Sequence, residues 1–252
     1  MASLKPSLWL RPVVPMAQWA LSAAFPPRCP SCDDLVDRQH NFCAPCFQQL
    51  QHISEPLCHA CGIPFAVPMG EGALCPTCIA EPASYDHIRA PLVYNEASGP
   101  VIRALKFHDR YTGLDRSVQM MRAALGPLAD RVDVVVPVPL HWRRLAQRRY
   151  NQSALLAFGL TRSISVPCQP ALLKRVQATK PQARLSRAQR LLNVKHAFAA
   201  LQHCNAALQN KTVLLVDDVV TTGATVNACA RALKDAGAAQ VLVVALARTT
   251  KD

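Results

Sequence analysis

Residues 213 to 225 read "VLLVDDVVTTGAT". Two adjacent carboxylates, Asp217 and Asp218, follow an apolar run. After a Val-Val pair come Thr221, Thr222, Gly223, Ala224 and Thr225. Backbone N–H groups at a helix start attract anions, and threonine hydroxyls add donors. A glycine there lets the backbone approach the bound group. Such a loop holds a phosphate. The two acids repel phosphate and suit hydroxyls, a metal ion or developing positive charge. A sugar phosphate satisfies both halves at once.

Eight of the eleven cysteines form four CxxC pairs: Cys29/Cys32, Cys43/Cys46, Cys58/Cys61 and Cys75/Cys78. A CxxC turn points two sulfurs at one metal, and two turns complete a tetrahedral thiolate shell. The local sequences "RCPSC", "FCAPC", "CHACG" and "LCPTC" carry the small, Pro and Gly residues of tight knuckles. A secreted disulfide framework needs an oxidising compartment, and a thioredoxin-like redox pair is a single CxxC in a βαβ setting. Zinc is the better reading, with two closed structural sites and no open catalytic position. The simplest assignment is Cys29/Cys32/Cys43/Cys46 and Cys58/Cys61/Cys75/Cys78. Spacing leaves open a crossed arrangement of first pair with third. The metals replace a core that about 50 residues could hardly build alone. Of the unpaired Cys168, Cys204 and Cys229, the last sits in a helical pattern and reads as a small core residue.

Charge divides the chain. Residues 1–90 carry 5 basic against 7 acidic residues, and residues 91–252 carry 23 against 9. His141 to Lys195 holds 12 basic residues and no acid. A block of one sign implies an anionic partner, phosphate groups or a nucleic-acid backbone; the plainer alternative is a solvated basic face.

These groups need elements to position them. The runs 132–140, 212–218 and 240–247 are Val-rich without period-2 polarity, as strands buried on both faces are. Helical patterns span 151–164 and 223–237, the second ending at Gly237, a good C′ residue. Alternating strand and helix predicts an α/β fold, a parallel sheet with helices on both faces. Ligands of such sheets sit at the carboxyl ends of the strands. Val213 to Val216 are expected to form the strand, with Asp217 and Asp218 at its end. At the N-terminus, Arg11, Pro12 and Pro15 interrupt a signal-like apolar stretch too short to span a bilayer. An amphipathic helix laying Trp19, Leu21 and Phe25 on a neighbouring domain is expected instead. With no span elsewhere, the chain reads as cytoplasmic.

The 213–225 motif resembles the phosphoribosyl-diphosphate (PRPP) signature of type I phosphoribosyltransferases. The whole chain resembles the ComF/GntX family, in which a double zinc ribbon precedes a phosphoribosyltransferase-like domain. The likeness rests on the cysteines, on "VDDVVTTGAT", on "VPVPLHWRRLAQRRYNQS" (136–153) and on "RVQATKPQARLSRAQRLLNVKHAF" (175–198). "RALKF" (103–107) matches another family segment. After the amphipathic segment over 1–28, the resemblance implies a double zinc ribbon over 29–81 and a type I phosphoribosyltransferase-like domain over 82–252.

The resemblance also implies roles. Asp217 and Asp218 would bond the ribose hydroxyls and stabilise an oxocarbenium-like centre as pyrophosphate departs. Thr221, Thr222, Gly223, Ala224 and Thr225 would cradle the 5′-phosphate. Arg143, Arg144, Arg148 and Arg149 are candidates for the pyrophosphate, with Mg²⁺ bridging. Lys180, Arg184, Arg187 and Arg190 would lie on a mobile hood. Two departures weigh against efficient transfer. Purine-type members place a carboxylate where Thr221 stands, and Arg149 replaces a glycine of the common "RGFNQ".

The family's association with DNA uptake makes handling of incoming single-stranded DNA the expected function, with DNA-uptake machinery as a further partner. Phosphate neutralisation by the basic block would supply affinity, and Trp142 and Tyr150 could stack on bases or pack beside a strand. The alternative is an active PRPP-dependent phosphoribosyltransferase of nucleotide salvage. A third reading, a zinc-ribbon regulator binding a partner protein or duplex DNA, is disfavoured for DNA because residues 1–90 are net acidic.

Overall fold

The computed structural model describes residues 26–37, 41–107, 113–141, 145–146, 150–176, 197–201 and 205–250. The helix expected near Trp19 lies outside them.

The first described segment is built twice over. Cys29 and Cys58 each accept a turn hydrogen bond at their carbonyl, from Asp33 N–H at 3.0 Å and Gly62 N–H at 2.9 Å. Asp33 and Gly62, each following the second cysteine of its pair, take left-handed backbone at φ 65° and 67°. Aspartate tolerates that region better than most side chains. The second pair of each unit starts a short helix, α1 (Ala44–Gln49) or α2 (Pro76–Ala80), with Cys43 or Cys75 at the N-cap and Pro in the first turn. Proline suits that place, since the first N–H groups of a helix have no intrahelical partner.

The remainder centres on a parallel sheet. Strand β1 (His87–Arg89) and strand β2 (Leu92–Val93) lie end to end along one side of β7 (Gln240–Arg248). Next come β6 (Thr212–Val220) and β3 (Val134–Pro137), giving the order β1-β7-β6-β3, all parallel. Val135 forms a further parallel bridge to Cys168 beyond β3.

Strand alternation explains why both faces read as apolar. Val134, Val136, Val213, Leu215, Val241 and Val243 pack on one face, against Val226, Cys229 and Leu233 of α7 (Ala224–Asp235). Val135, Leu214, Val216, Leu242 and Val244 pack on the other. There they meet Val118, Met121 and Leu125 of α4 (Leu114–Leu125) and Leu156 and Leu160 of α5 (Gln152–Ile164). Each face loses water to its own helix layer, so no polar alternation is needed. Helix α3 (Gly99–Phe107) precedes α4. A short antiparallel pair, β4 (Leu173–Arg175) and β5 (Phe198–Ala200), joins α7 over the first face, followed by α6 (Asn205–Leu208).

Helix α7 stops as expected. Ala236 caps it, and Gly237 follows with φ 105°, its N–H donating to Lys234 O at 2.9 Å. Strand β6 runs further than the sequence suggests, through Asp217 and Asp218 to Val220. Its ladder with β7 continues to the pair Val220↔Arg248, so backbone pairing outlasts the apolar run.

The ribbon covers the outer edge of the sheet. His52 bridges Leu92 in antiparallel sense, with Ile53 N–H donating to Pro91 O at 2.8 Å and Val93 N–H to Gln51 O at 2.8 Å. Ile88 N–H of β1 donates to Ala60 O at 2.6 Å. A Cβ on Gly62 would stand 2.4 Å from Ile88 O, so only glycine permits this approach. Edge N–H and C=O groups that would invite foreign strands are thereby paired internally. No helix among the described residues is long and apolar enough to cross a membrane.

Candidate functional site: paired carboxylates beside a helix start, and two tetracysteine clusters

The carboxyl end of β6 carries the acid pair. Asp217 and Asp218 are half-buried, where the sheet emerges between its helix layers. Asp217 Oδ1 accepts from Asp218 N–H at 2.9 Å, and Asp218 Oδ1 from Val219 N–H at 2.7 Å. Asp217 Oδ1 also accepts from the Ser153 hydroxyl at 3.0 Å. Ser153 is buried in the first turn of α5. Asn151 fixes that turn: its side chain caps the helix by accepting from Ser153 N–H at 3.1 Å and donates to Val138 O at 3.0 Å. The segment after β3 thus reaches across to the neighbouring strand's acid.

Beyond Val220 the chain turns at Thr221 and Thr222. Thr249, just past β7, anchors the turn: its N–H donates to Val220 O at 3.0 Å and its hydroxyl to Thr221 O at 3.1 Å. Gly223 is the N-cap of α7 with φ 77°. Thr222 Oγ1 accepts from Ala224 N–H at 3.4 Å. Acids on a strand end therefore lie a few residues from an N-terminal helix turn, as the sequence predicts. Tyr85 lies against this turn: its hydroxyl is 3.6 Å from where a Cβ on Gly223 would sit. Ser84 N–H donates to Asn227 Oδ1 at 2.6 Å, tying the same chain segment to α7.

Arg143, Arg144, Arg148 and Arg149 lie outside the described residues, as do Trp142 and the hood positions Lys180, Arg184, Arg187 and Arg190. Of the twelve basic residues in 141–195, Arg162 and Lys174 are exposed and Arg175 is half-buried. The Tyr150 hydroxyl donates to Leu105 O at 3.0 Å. It braces α3 against the entry to α5. Cys229 is fully buried, and its thiol is pushed well up by burial and then by the Asp217 charge, so it is an inert core group.

Sequence reasoning gave no role to Ser153, Tyr85 or Asn227. Ser153 stood inside a quoted motif, but only the strand order brings it to Asp217. Tyr85 carries no local signal at all.

The cysteines collect as two sequential clusters, Cys29/Cys32/Cys43/Cys46 and Cys58/Cys61/Cys75/Cys78, with the sulfurs of each within 4.8 Å of one another. This removes the crossed alternative. Zinc–sulfur bonds of about 2.3 Å in a tetrahedron give sulfur–sulfur edges of about 3.8 Å. Cys32 and Cys43 sulfurs are 3.6 Å apart, and those of Cys61 and Cys75 are 3.7 Å apart. Cys75 N–H points at Cys58 Sγ across 3.3 Å, a donor that stabilises a thiolate ligand. Both donor sets fit zinc. They differ in shelter: all four cysteines of the second cluster are buried, whereas Cys32 is exposed and Cys43 and Cys46 half-buried.

A double zinc ribbon domain model matches residues 20–81, and a phosphoribosyl transferase domain model matches residues 162–252. Competence protein F of Haemophilus influenzae is 30% identical over 228 residues, covering 88% of this chain and 96% of that protein. DNA utilization protein YhgH of Salmonella typhi is 35% identical over 201 residues, covering 77% of this chain and 84% of that protein. Among solved structures, the glutamine phosphoribosylpyrophosphate amidotransferase from B. subtilis aligns at 21% identity and a TM-score of 0.36, over 57% of this chain and 30% of that one. With its two four-cysteine clusters and its parallel sheet, the chain belongs to the family of competence protein F and DNA utilization protein YhgH, a double zinc ribbon joined to a phosphoribosyltransferase domain.

Proposed function

We propose that this protein handles incoming single-stranded DNA in the cytoplasm during DNA uptake or utilisation, and that a PRPP or nucleotide site lies at the carboxyl end of β6. The observation that carries the ligand site is the adjacency of two half-buried carboxylates to a helix start with Gly223 at φ 77°. Asp217 and Asp218 would receive the ribose hydroxyls, and the amides and hydroxyls of 221–225 the 5′-phosphate. Mg²⁺, when bound with PRPP, would neutralise the diphosphate. Arg143, Arg144, Arg148 and Arg149 would complete the anion contacts and, with the rest of the 141–195 block, neutralise DNA phosphates. The names of the two relatives, competence protein and DNA utilization protein, support the DNA reading. The net acidity of residues 1–90 turns the ribbon away from nucleic acid, leaving it for the fold or for uptake-machinery proteins.

Active PRPP-dependent transfer is the second reading, favoured by the acid pair. Arg149, where family members commonly carry glycine, and Thr221, where purine-type transferases carry a carboxylate, favour binding without efficient turnover.

The test is titration of the full chain with PRPP–Mg²⁺ and with short oligonucleotides, separately and in competition, at several salt concentrations. DNA affinity should fall steeply with salt and on neutralising the four arginines. Changing Asp217 and Asp218 together to Asn should abolish PRPP binding and spare DNA. Salt-independent DNA binding would overturn the nucleic-acid reading, and PRPP binding unaffected by the double change would overturn the site.

A further inference from the structure

The two tetracysteine units look equivalent in sequence, yet they rest on different parts of the fold. The first lies on α4. A Cβ on Gly113, the N-cap of α4, would stand 3.0 Å from Pro30 between Cys29 and Cys32, and the Arg116 guanidinium lies 5.9 Å over the Phe47 ring. The second lies on the phosphate loop. Tyr85 packs against the cluster formed by Cys58, Cys61, Cys75 and Cys78 and also against the core cluster that contains Val220, Ala224 and Val226. Its ring edge faces Gly223, and the preceding Ser84 N–H holds Asn227, one turn into α7.

The strand end beside the loop also holds a buried cation. Arg248 is only 4% exposed at the end of β7, paired through its backbone with Val220. Its Nε donates to Thr249 O at 3.3 Å, and its Nη1 is buried without a hydrogen-bond partner among the described residues.

We propose that the second tetracysteine unit positions the phosphate loop, with Tyr85 lying between the cysteines and Gly223 and the Ser84 amide holding Asn227. Tyr85 is a positioning residue. The first unit has no such contact among the described residues. This inference rests on the reading that the loop takes a 5′-phosphate.

Coupling of two sites is reciprocal: if metal at the second cluster tightens a loop ligand, that ligand must tighten the metal by the same factor. The experiment uses the full zinc-loaded chain with ribose 5-phosphate and PRPP–Mg²⁺ as probes. Tyr85→Ala should weaken both probes about tenfold at unchanged zinc content, an ordinary coupling magnitude, while Tyr85→Phe retains affinity. Saturating PRPP–Mg²⁺ should slow zinc loss from the second cluster and leave the first unchanged. Amide hydrogen exchange over 221–227 should quicken in Tyr85→Ala and Cys78→Ser, and stay unchanged in Cys46→Ser. Absence of probe binding by wild type would sink the ligand reading, while the exchange comparison still decides the coupling. Unaltered loop exchange in both Tyr85→Ala and Cys78→Ser would overturn the coupling itself.

Discussion

The Ser153 hydroxyl donates to Asp217 Oδ1 across 3.0 Å, although 64 residues separate the two in sequence. Asp217 Oδ1 also receives the Asp218 amide, so one oxygen takes donors from two elements. Ser153→Ala removes the α5 donor and should cost about 1–2 kcal/mol of stability, the usual penalty for stripping a partner from a partly buried acceptor. PRPP affinity should fall with it, because the carboxylate loses its fixed direction. Urea unfolding and calorimetric titration read the two effects; a variant as stable and as tight as wild type would remove Ser153 from the site.

Gly223 separates strain from crowding. A methyl there meets nothing closer than the Tyr85 hydroxyl at 3.6 Å, an ordinary contact, whereas φ 77° is left-handed backbone. Gly223→Ala should therefore cost about 1 kcal/mol through backbone strain alone. Gly223→Asn, which tolerates that region, should cost less. Thermal unfolding of the pair checks the order.

Metal analysis should find two zincs per chain, and their loss should be stepwise. The cluster around exposed Cys32 is open to a chelator, while Cys58, Cys61, Cys75 and Cys78 are all buried. The first zinc should leave faster, and removal of both should unfold the ribbon, whose apolar core is scant. A single release phase from both sites, or a stoichiometry of one, would contradict this.

Acid should loosen the seam between ribbon and sheet. His87 is buried, its Nδ1 lies 2.9 Å from His59 O, and the two rings meet edge to face with centroids 4.6 Å apart. Burial first, opposed by the His59 carbonyl and aided by the Arg89 charge, depresses its folded-state pKa below the ordinary 6.5. The unfolded chain then binds the extra proton more readily. The stability contribution is complete above about 6.5 and is lost as pH falls through the lowered folded value. Urea midpoints at pH about 7.5 and about 5.5 should differ less in His87→Gln than in wild type. An equal drop in both would assign the acid sensitivity elsewhere.

Local chemistry made much of the architecture legible. CxxC knuckles declare themselves by spacing, because a metal shell needs two sulfurs per turn. The Val-rich runs that became β3, β6 and β7 declare burial on both faces, because each must desolvate against a helix layer. Less local features stayed silent. Strands β1 and β2 are three and two residues long and exist only because β7 offers them a ladder. Helices α3 and α4 and the β4–β5 pair likewise gave no separate expectation. The extension of β6 to Val220 depends on the reach of β7, which no reading of 213–220 contains.

The sequence by itself determined which groups exist: eight thiols in four pairs, two adjacent carboxylates, and a glycine-bearing turn after a buried strand. Their types and short spacings are covalent facts. Only the tertiary structure decided who meets whom: sequential rather than crossed cysteine clusters, Ser153 against Asp217, and Tyr85 between the second cluster and Gly223. Such contacts join residues far apart along the chain. They arise when strand order and layer packing bury apolar surface, a property of the whole chain that no short segment encodes.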